Sequence, residues 1–448
     1  MVLSLDGRWL YVMCEASDEV RVVDTQTKSV ARTVAVGHMP RGIALSPEGT
    51  QLFVANSWDD TVSVVDTAQL KVVRTLATGF EPNGVMVDRQ GKTLYVANRL
   101  SNDVSVIDLQ SGQETKRLLA GRGASYLALT PDGKLLYCTH AYPKIGAHRT
   151  PPESEVTVID TQRQEVIERK ALHNVAGVFH IALSADGKLG VAPQLRPKNL
   201  IPLAHVEHGW VFGDSLAVFG DDVGGVVQVP IDELERYFAM PFAAAITPDK
   251  RKLYVSSSGS EAITVIDIPK MIGYVKTAHG PIANDLSASA NYVVGRIPVG
   301  RNPKGLVLSR DGTRLFVANR LDDSIGVIDT ANDVVVSSID LGGRKDMTSL
   351  RRGERISIPP VSPSRANLVA QIAISTRRST DCNGTWSRTA SEWTSWTIAR
   401  SKTCRAPSRS SGMAETPTWR PSAGRGRKSI SIARRVITAG NWPTWFRT

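Results

Sequence analysis

The chain has 448 residues, 42% of them hydrophobic, and a formal net charge of +11. No run of ~18 apolar residues offers a transmembrane helix. The positive charge is concentrated: residues 344–448 hold 20 Lys/Arg and 5 Asp/Glu, which leaves the first 343 residues at a net −4 and gives them no electrostatic reason to bind nucleic acid. Four cysteines, Cys14, Cys138, Cys382 and Cys404, lack CxxC spacing and support neither a zinc site nor a disulfide framework.

Taken in chain order, the opening MVLSLDGRWLYV reads as strand, with no basic segment leading into an apolar one. No signal peptide is therefore expected in the chain as written. Turn pairs recur at Asp6-Gly7, Glu48-Gly49, Gln90-Gly91, Asp132-Gly133, Asp186-Gly187, Asp249-Lys250 and Asp311-Gly312. The first three steps are 42 residues, and the later ones are 54, 63 and 62. A fixed period of this length marks a repeat architecture. Each repeat carries four strand signals, which in the second are Gly42–Pro47, Gln51–Ser57, Thr61–Thr67 and Lys71–Ala77. They are short, rich in β-branched residues and bounded by Gly, Asp, Asn or Pro, with no sustained helical period.

Four such strands cannot bury both faces of their sheet alone, whereas radial stacking covers each sheet with its neighbours. The expected fold is all-β: a seven-bladed β-propeller of four-stranded antiparallel blades over residues 1–343. A ring of six or eight blades needs an altered reading of the insertion-bearing repeats.

Leu52–Thr67, Leu94–Leu109, Leu253–Ile268 and Leu315–Thr330 resemble the YVTN family of β-propeller repeats, which is similar to surface-layer propellers and more loosely to lactonase-type ones. The first blade's inner strand, Val2–Leu5, is short at its start, so the natural chain is expected to begin upstream, where an export signal has its place.

Two insertions lengthen the connection between second and third strands: His140–Ser154 in blade four and Pro193–Asp214 in blade five. That connection shares a face with the blade-to-blade crossovers, where functional loops gather. A third insertion, Pro269–Tyr292 in blade six, follows a third strand and is expected on the opposite face. His140, His148, His180, His205 and His208 fall in or beside the first two insertions. They read either as a metal- or haem-contacting cluster or as loop histidines bonded locally, since no ligand-pair spacing joins them.

Asp214 with Asp221 and Asp222 is a cation candidate without calcium-loop spacing. Asn56, Asn98 and Asn319, after the second strands, read as turn residues. Asp66, Asp108, Asp160, Asp267 and Asp329, ending the third strands, read as turn acceptors. No phosphate loop, nucleophile elbow or paired catalytic carboxylate is present, so no catalytic residue is assigned.

After a linker over 344–356, residues 357–448 lose all alternation. Residues 344–448 hold 29 Ser/Thr, 20 Lys/Arg and six of the nine tryptophans. Met347–Arg355 resembles the linker by which some YVTN propellers continue into a dihaem peroxidase-like c-type cytochrome domain. One base lost near Ile356 accounts for the change beyond it. Val369, Ala370, Gln371, Ile372, Ala373 and Ile374 admit codons that read, one frame over, as Cys-Ala-Asn-Cys-His, the haem c attachment motif. Cys382–Thr389, Ser391–Ile398 and Ser411–Arg420 likewise admit strings resembling that cytochrome, in its order. The segment is expected to be disordered or an out-of-frame remnant.

The resemblance implies a binding or scaffold module of a periplasmic, cytochrome-c-associated electron-transfer protein. Intact relatives are expected to be periplasmic or extracellular, to carry haem c and to meet a redox partner. No Cys-x-x-Cys-His exists in this chain, and no cofactor is expected in it. Its expected partner is a protein or small molecule on the propeller face, without nucleic acid or a membrane span. A lactonase-like hydrolase and a surface-layer or adhesion protein are the alternatives.

Overall fold

A computed structural model describes residues 1–144, 150–197, 212–233, 238–278, 280, 282–285 and 287–343. These form seven antiparallel sheets, each built from consecutive strands. Blade one spans Val2–Ala35, blade two Pro40–Ala77 and blade three Pro82–Leu119. Blade four spans Ala124–His173, blade five Gly177–Pro230, blade six Pro241–Pro298 and blade seven Pro303–Asp340.

The hairpin between first and second strands turns through positive φ at Gly7, Gly49, Gly91, Gly133, Gly187 and Gly312 (68° to 75°) and at Lys250 (58°). This is the left-handed conformation that the Asp-Gly pairs supply. The third-strand aspartates are the turn acceptors read from the sequence. Asp66 Oδ1, for example, accepts the amides of Ala68 at 2.9 Å and Gln69 at 2.7 Å. In blade six the same acceptor starts a helix instead: Asp267 caps Ile268–Thr277 by accepting the Lys270 amide at 2.9 Å.

Burial lies between the blades. One apolar cluster fills each junction, from Val20, Val22 and Leu52 between blades one and two to Leu189, Val218 and Leu253 between five and six. The ring closes where Leu10, Val12 and Val23 of blade one pack on Phe316, Ile325 and Ile339 of blade seven, and Arg21 donates to the Leu341 carbonyl. At the axis, adjacent inner strands approach so closely that a Cβ on Gly42 would lie 2.0 Å from the Asn83 carbonyl oxygen. One on Gly84 would lie 2.4 Å from that of Ser125.

The second-strand asparagines do more than turn the chain. Asn56 and Asn98 are buried. Asn56 Nδ2 donates to Thr61 Oγ1 at 3.0 Å and Ser63 Oγ at 2.9 Å; Asn98 Nδ2 donates to Asp103 Oδ1 at 2.7 Å and Ser105 Oγ at 2.8 Å. Asn319 Nδ2 donates to Ser324 Oγ at 3.2 Å. They tie the second strand to the third at its end.

The blade-four insertion lies between the second strand (Leu135–His140) and the third (Glu153–Asp160), as expected. The blade-five insertion is shorter than read: Pro193–Pro197 and Phe212–Asp214 pair as strand, extending the hairpin. Asp214 thus lies inside the strand Phe212–Gly220, six residues or roughly 20 Å (at ~3.3 Å per residue) before its end, and Asp221 lies in the turn beyond that end. They do not converge on a cation. Asp222 is paired with Lys250, which also meets Asp186 at 2.7 Å. The blade-six insertion contains the ten-residue helix Ile268–Thr277, where the sequence shows no sustained helical period. Its Ile268, Met271 and Tyr292 pack against blade five, and Tyr292 Oη donates to the Pro230 carbonyl at 2.6 Å. Residues 344–448, including the linker and the proposed remnant, lie outside the described residues.

The first three blades are each latched to the next. In the hairpin between second and third strands, Asp18, Asp60 and Asn102 accept the backbone N–H of Met39, Glu81 and Gly123 in the following crossover, at 2.8, 2.8 and 2.7 Å. Removing one charge-assisted acceptor from a hydrogen bond of this kind costs ~1–3 kcal/mol. Asp60→Ala is therefore expected to lower the unfolding free energy by about that amount in urea titration, and Asp60→Asn by less. Equal stability of Asp60→Ala and the wild type would remove the latch from the account.

Candidate functional site

Blade five breaks the pattern at the axis. Its inner strand is split into Gly177–Val178 and Ala182–Leu183, both paired with Gly190–Pro197. Opposite the gap stands Pro193, which has no N–H to give an inner strand. Its carbonyl still accepts the Phe179 amide at 3.2 Å. Three residues, Phe179, His180 and Ile181, thus bridge where two face them, and their side chains are re-aimed.

On the blade-four side, Tyr126 stands 42 residues after Gly84 and 84 after Gly42, where the inner strands of blades two and three leave no room for a side chain. The broken strand makes that room. The His180 ring lies 5.3 Å from Tyr126. Tyr126 meets Phe242 of blade six edge-on at 6.2 Å, Phe179 stacks on Phe242 at 5.7 Å, and Lys304 Nζ of blade seven lies 4.8 Å above the Phe242 ring. Four blades therefore converge on a half-buried aromatic wall with one imidazole and one ammonium.

His180 is neutral here. Burial pushes its pKa down to about 4. Its Nδ1 accepts the Ala244 amide at 3.4 Å, so the ring proton sits on Nε2. That tautomer presents a hydrogen-bond donor. Coordination through Nε2 would require moving the proton and breaking the bond to Ala244.

His140 is fully buried, and its Nε2 shares a hydrogen bond with Thr157 Oγ1 at 2.9 Å. Burial pushes its pKa down to about 3. It occupies the place of the repeated asparagine. His140 pairs with Ala124 as Asn56 pairs with Pro40 and Asn98 with Pro82. Gly121 leaves it space as Gly37 does for Asn56 and Gly79 for Asn98. His140 meets Thr157 and Gly121, whereas His180 meets Tyr126 and Ala244; His148, His205 and His208 lie outside the described residues. Among the described residues no group of three His, Cys, Asp or Glu could hold a metal ion. Sequence reading passed over Tyr126, Phe179, Phe242 and Lys304. Its available signal was Pro193 inside a second-strand pattern, facing an inner strand that it interrupts.

A family model described as "Lactonase, 7-bladed beta-propeller" matches residues 1–120, the first three blades. Hydrazine synthase subunit beta of Kuenenia stuttgartiensis is 30% identical over 183 residues, which is 40% of this chain and 47% of that protein. A solved structure of Kuenenia stuttgartiensis hydrazine synthase superposes with a TM-score of 0.69 at 29% identity, covering 73% of this chain and 94% of the solved one. The chain is a seven-bladed propeller similar to a hydrazine synthase β subunit. The sequence alignment spans about half of that curated relative. Among the described residues no helix is long and apolar enough to cross a membrane.

His140 and His180 make stability pH-dependent. Their folded pKa values lie below the unfolded value of ~6.5, so the native state binds fewer protons than the unfolded chain. Their contribution is complete above pH ~6.5 and is lost as the pH falls towards about 4 and about 3. His140→Asn restores the repeat's own residue and is expected to fold. It is also expected to flatten the loss of stability between pH 6.5 and 4, measured by urea titration at stepped pH. An unchanged pH slope in this variant would show that His140 is not the buried neutral group described.

Proposed function

We propose that this chain is a binding and scaffold propeller of a multi-subunit periplasmic redox protein, with the YVTN-type repeat as its family and a c-type cytochrome domain following it in intact relatives. The observation that carries the reading is the likeness to the hydrazine synthase structure over 94% of the solved chain, with 29% of residues identical. The curated relative, 30% identical over 183 residues, is named as a subunit, and subunit status is what we carry over. The central wall supports a binding role. Tyr126, Phe179 and Phe242 supply ring faces, and His180 Nε2–H and the Lys304 ammonium supply donors beside the Tyr126 hydroxyl. Arg41 and Arg99 both pair with Glu81, at 2.6 and 2.5 Å, which leaves that trio with one net positive charge.

The second reading, a lactonase-like hydrolase, has the family-model match over residues 1–120 in its favour. It requires an acid–base or metal set at the axis, where this chain instead places aromatic rings and the donor tautomer of His180.

The cytochrome half of the proposal has a direct test. Restoring one base near the Ile356 codon and expressing the gene with cytochrome maturation machinery is expected to give a chain with covalent haem, seen by haem staining after denaturing electrophoresis. Absence of covalent haem, or codons that do not spell Cys-x-x-Cys-His across Val369–Ile374, refutes it. Appreciable lactone hydrolysis by the purified chain, lost in His180→Gln, would favour the second reading.

A further inference from the structure

The fourth strand of each blade is a sheet edge, with half of its backbone N–H and C=O groups turned outward. Proteins blunt such edges with charges, prolines or bulges, or cover them with a helix or loop. In six blades the outer strand carries both a charged side chain and a β-bulge. The outer strand of blade five, Gly225–Pro230, has the sequence GVVQVP. It has no ionisable side chain, its only proline is the last residue, and its pairing runs unbroken from Gly220↔Gly225 to Ser215↔Pro230.

A cleft of roughly 340 Å³ lies on this edge and touches Val226, Val227 and Gln228. Consecutive strand residues point to opposite faces, so a cleft reaching all three runs along the edge itself. One wall is Ala171 and His173, from the outer strand of blade four. The other is Val275, Ala278 and Ile282, from the blade-six insertion. Gln228 Nε2 donates to the His173 carbonyl at 3.0 Å, which sets the first wall. Among the described residues, no backbone hydrogen bond joins the insertion to Gly225–Val229. The insertion walls the edge without pairing with it.

We infer that this cleft binds an extended segment of a partner polypeptide, added as a fifth strand to blade five. The walls define its chemistry. Side chains of one parity face Gln228 and His173 and are polar; those of the other face Val275 and Ile282 and are β-branched or otherwise apolar. With no carboxylate or ammonium in the lining, a segment with no charged side chains fits best. Three edge residues span ~10 Å, so the paired stretch is short. A second rigid propeller docked there would bury far less than the ~800 Å² per partner of a stable complex. A flexible strand is held by main-chain hydrogen bonds and needs only the edge. The inference deepens the scaffold reading and rests on it.

The test uses the full chain and a fluorescein-labelled, end-blocked heptapeptide of alternating threonine and valine, followed by fluorescence anisotropy. Saturable binding is expected. It should weaken at least tenfold for the same peptide with every backbone amide N-methylated. Val226→Lys, which installs the charge used at other edges, and Ala278→Arg, which fills the cleft from the helix side, should each weaken binding at least tenfold with an unchanged melting temperature. Should Val226→Lys alter folding, Ala278→Arg decides. Equal binding by the wild type and Ala278→Arg, equal binding of the N-methylated peptide, or no saturable binding overturns the inference. The cytochrome half of the proposed function is tested separately by haem attachment in the base-restored chain, which this outcome does not affect.

Discussion

The ring depends on a hydrogen bond that joins one blade to the next. A sheet covered on both faces by its neighbours gains its burial only when the crossover delivers the next blade against it. In the first three blades the crossover is held by an acceptor in one hairpin and a backbone N–H 21 residues later, half of the 42-residue period: Asp18 to Met39, Asp60 to Glu81, Asn102 to Gly123. Both ends sit in the left-handed region, with φ of 54° at Asp18 and Asp60, 57° at Met39 and 55° at Glu81. Such conformations cost free energy in non-glycine residues and persist because the latch over-determines them. In blade five the same task passes to other groups, with Asp214 Oδ1 accepting the Met240 amide at 3.1 Å.

Much of this was legible in the sequence because it is local and repeated. Asp-Gly turns announce positive φ, third-strand aspartates announce turns, and seven quartets announce the ring. The helix Ile268–Thr277 was harder to read. It is one short element inside an insertion, and its start signal, Asp267, is the residue that makes a plain turn in every other blade where it recurs. The extended hairpin of blade five was misjudged because Pro193 and Pro197 look like loop residues. Both take part in strand pairing there, with Pro197 ending its strand.

The site was less legible because its parts are long-range. Tyr126, His180, Phe242 and Lys304 lie on four blades, and nothing in their local sequence says that they meet. His140 shows the opposite error. It neighbours an insertion and was grouped with other histidines by proximity. The repeat register places it at the buried asparagine position, where its Nε2 does the work of Asn56 Nδ2. Period is a better guide to a side chain's surroundings than nearness along the chain, since each blade repeats an environment.

Departures from the repeat therefore carry the functional information. In a minimally frustrated repeat, local rules agree with the fold, and the places that break them are the sites where something else is being served. Two such departures occur here. Tyr126 fills a position that Gly42 and Gly84 must leave empty, with a broken strand to receive it. The Gly225–Pro230 edge omits both the charge and the bulge that the six other outer strands carry. Both involve blade five, one at the axis and one at the rim, joined by a sheet whose central strands, Gly190–Pro197 and Phe212–Gly220, are the longest inner pair in the ring. A strand added at the rim would extend the sheet that also presents His180 at the axis. Occupancy of the edge and the setting of that imidazole would then be linked through paired backbone, without any movement of the ring.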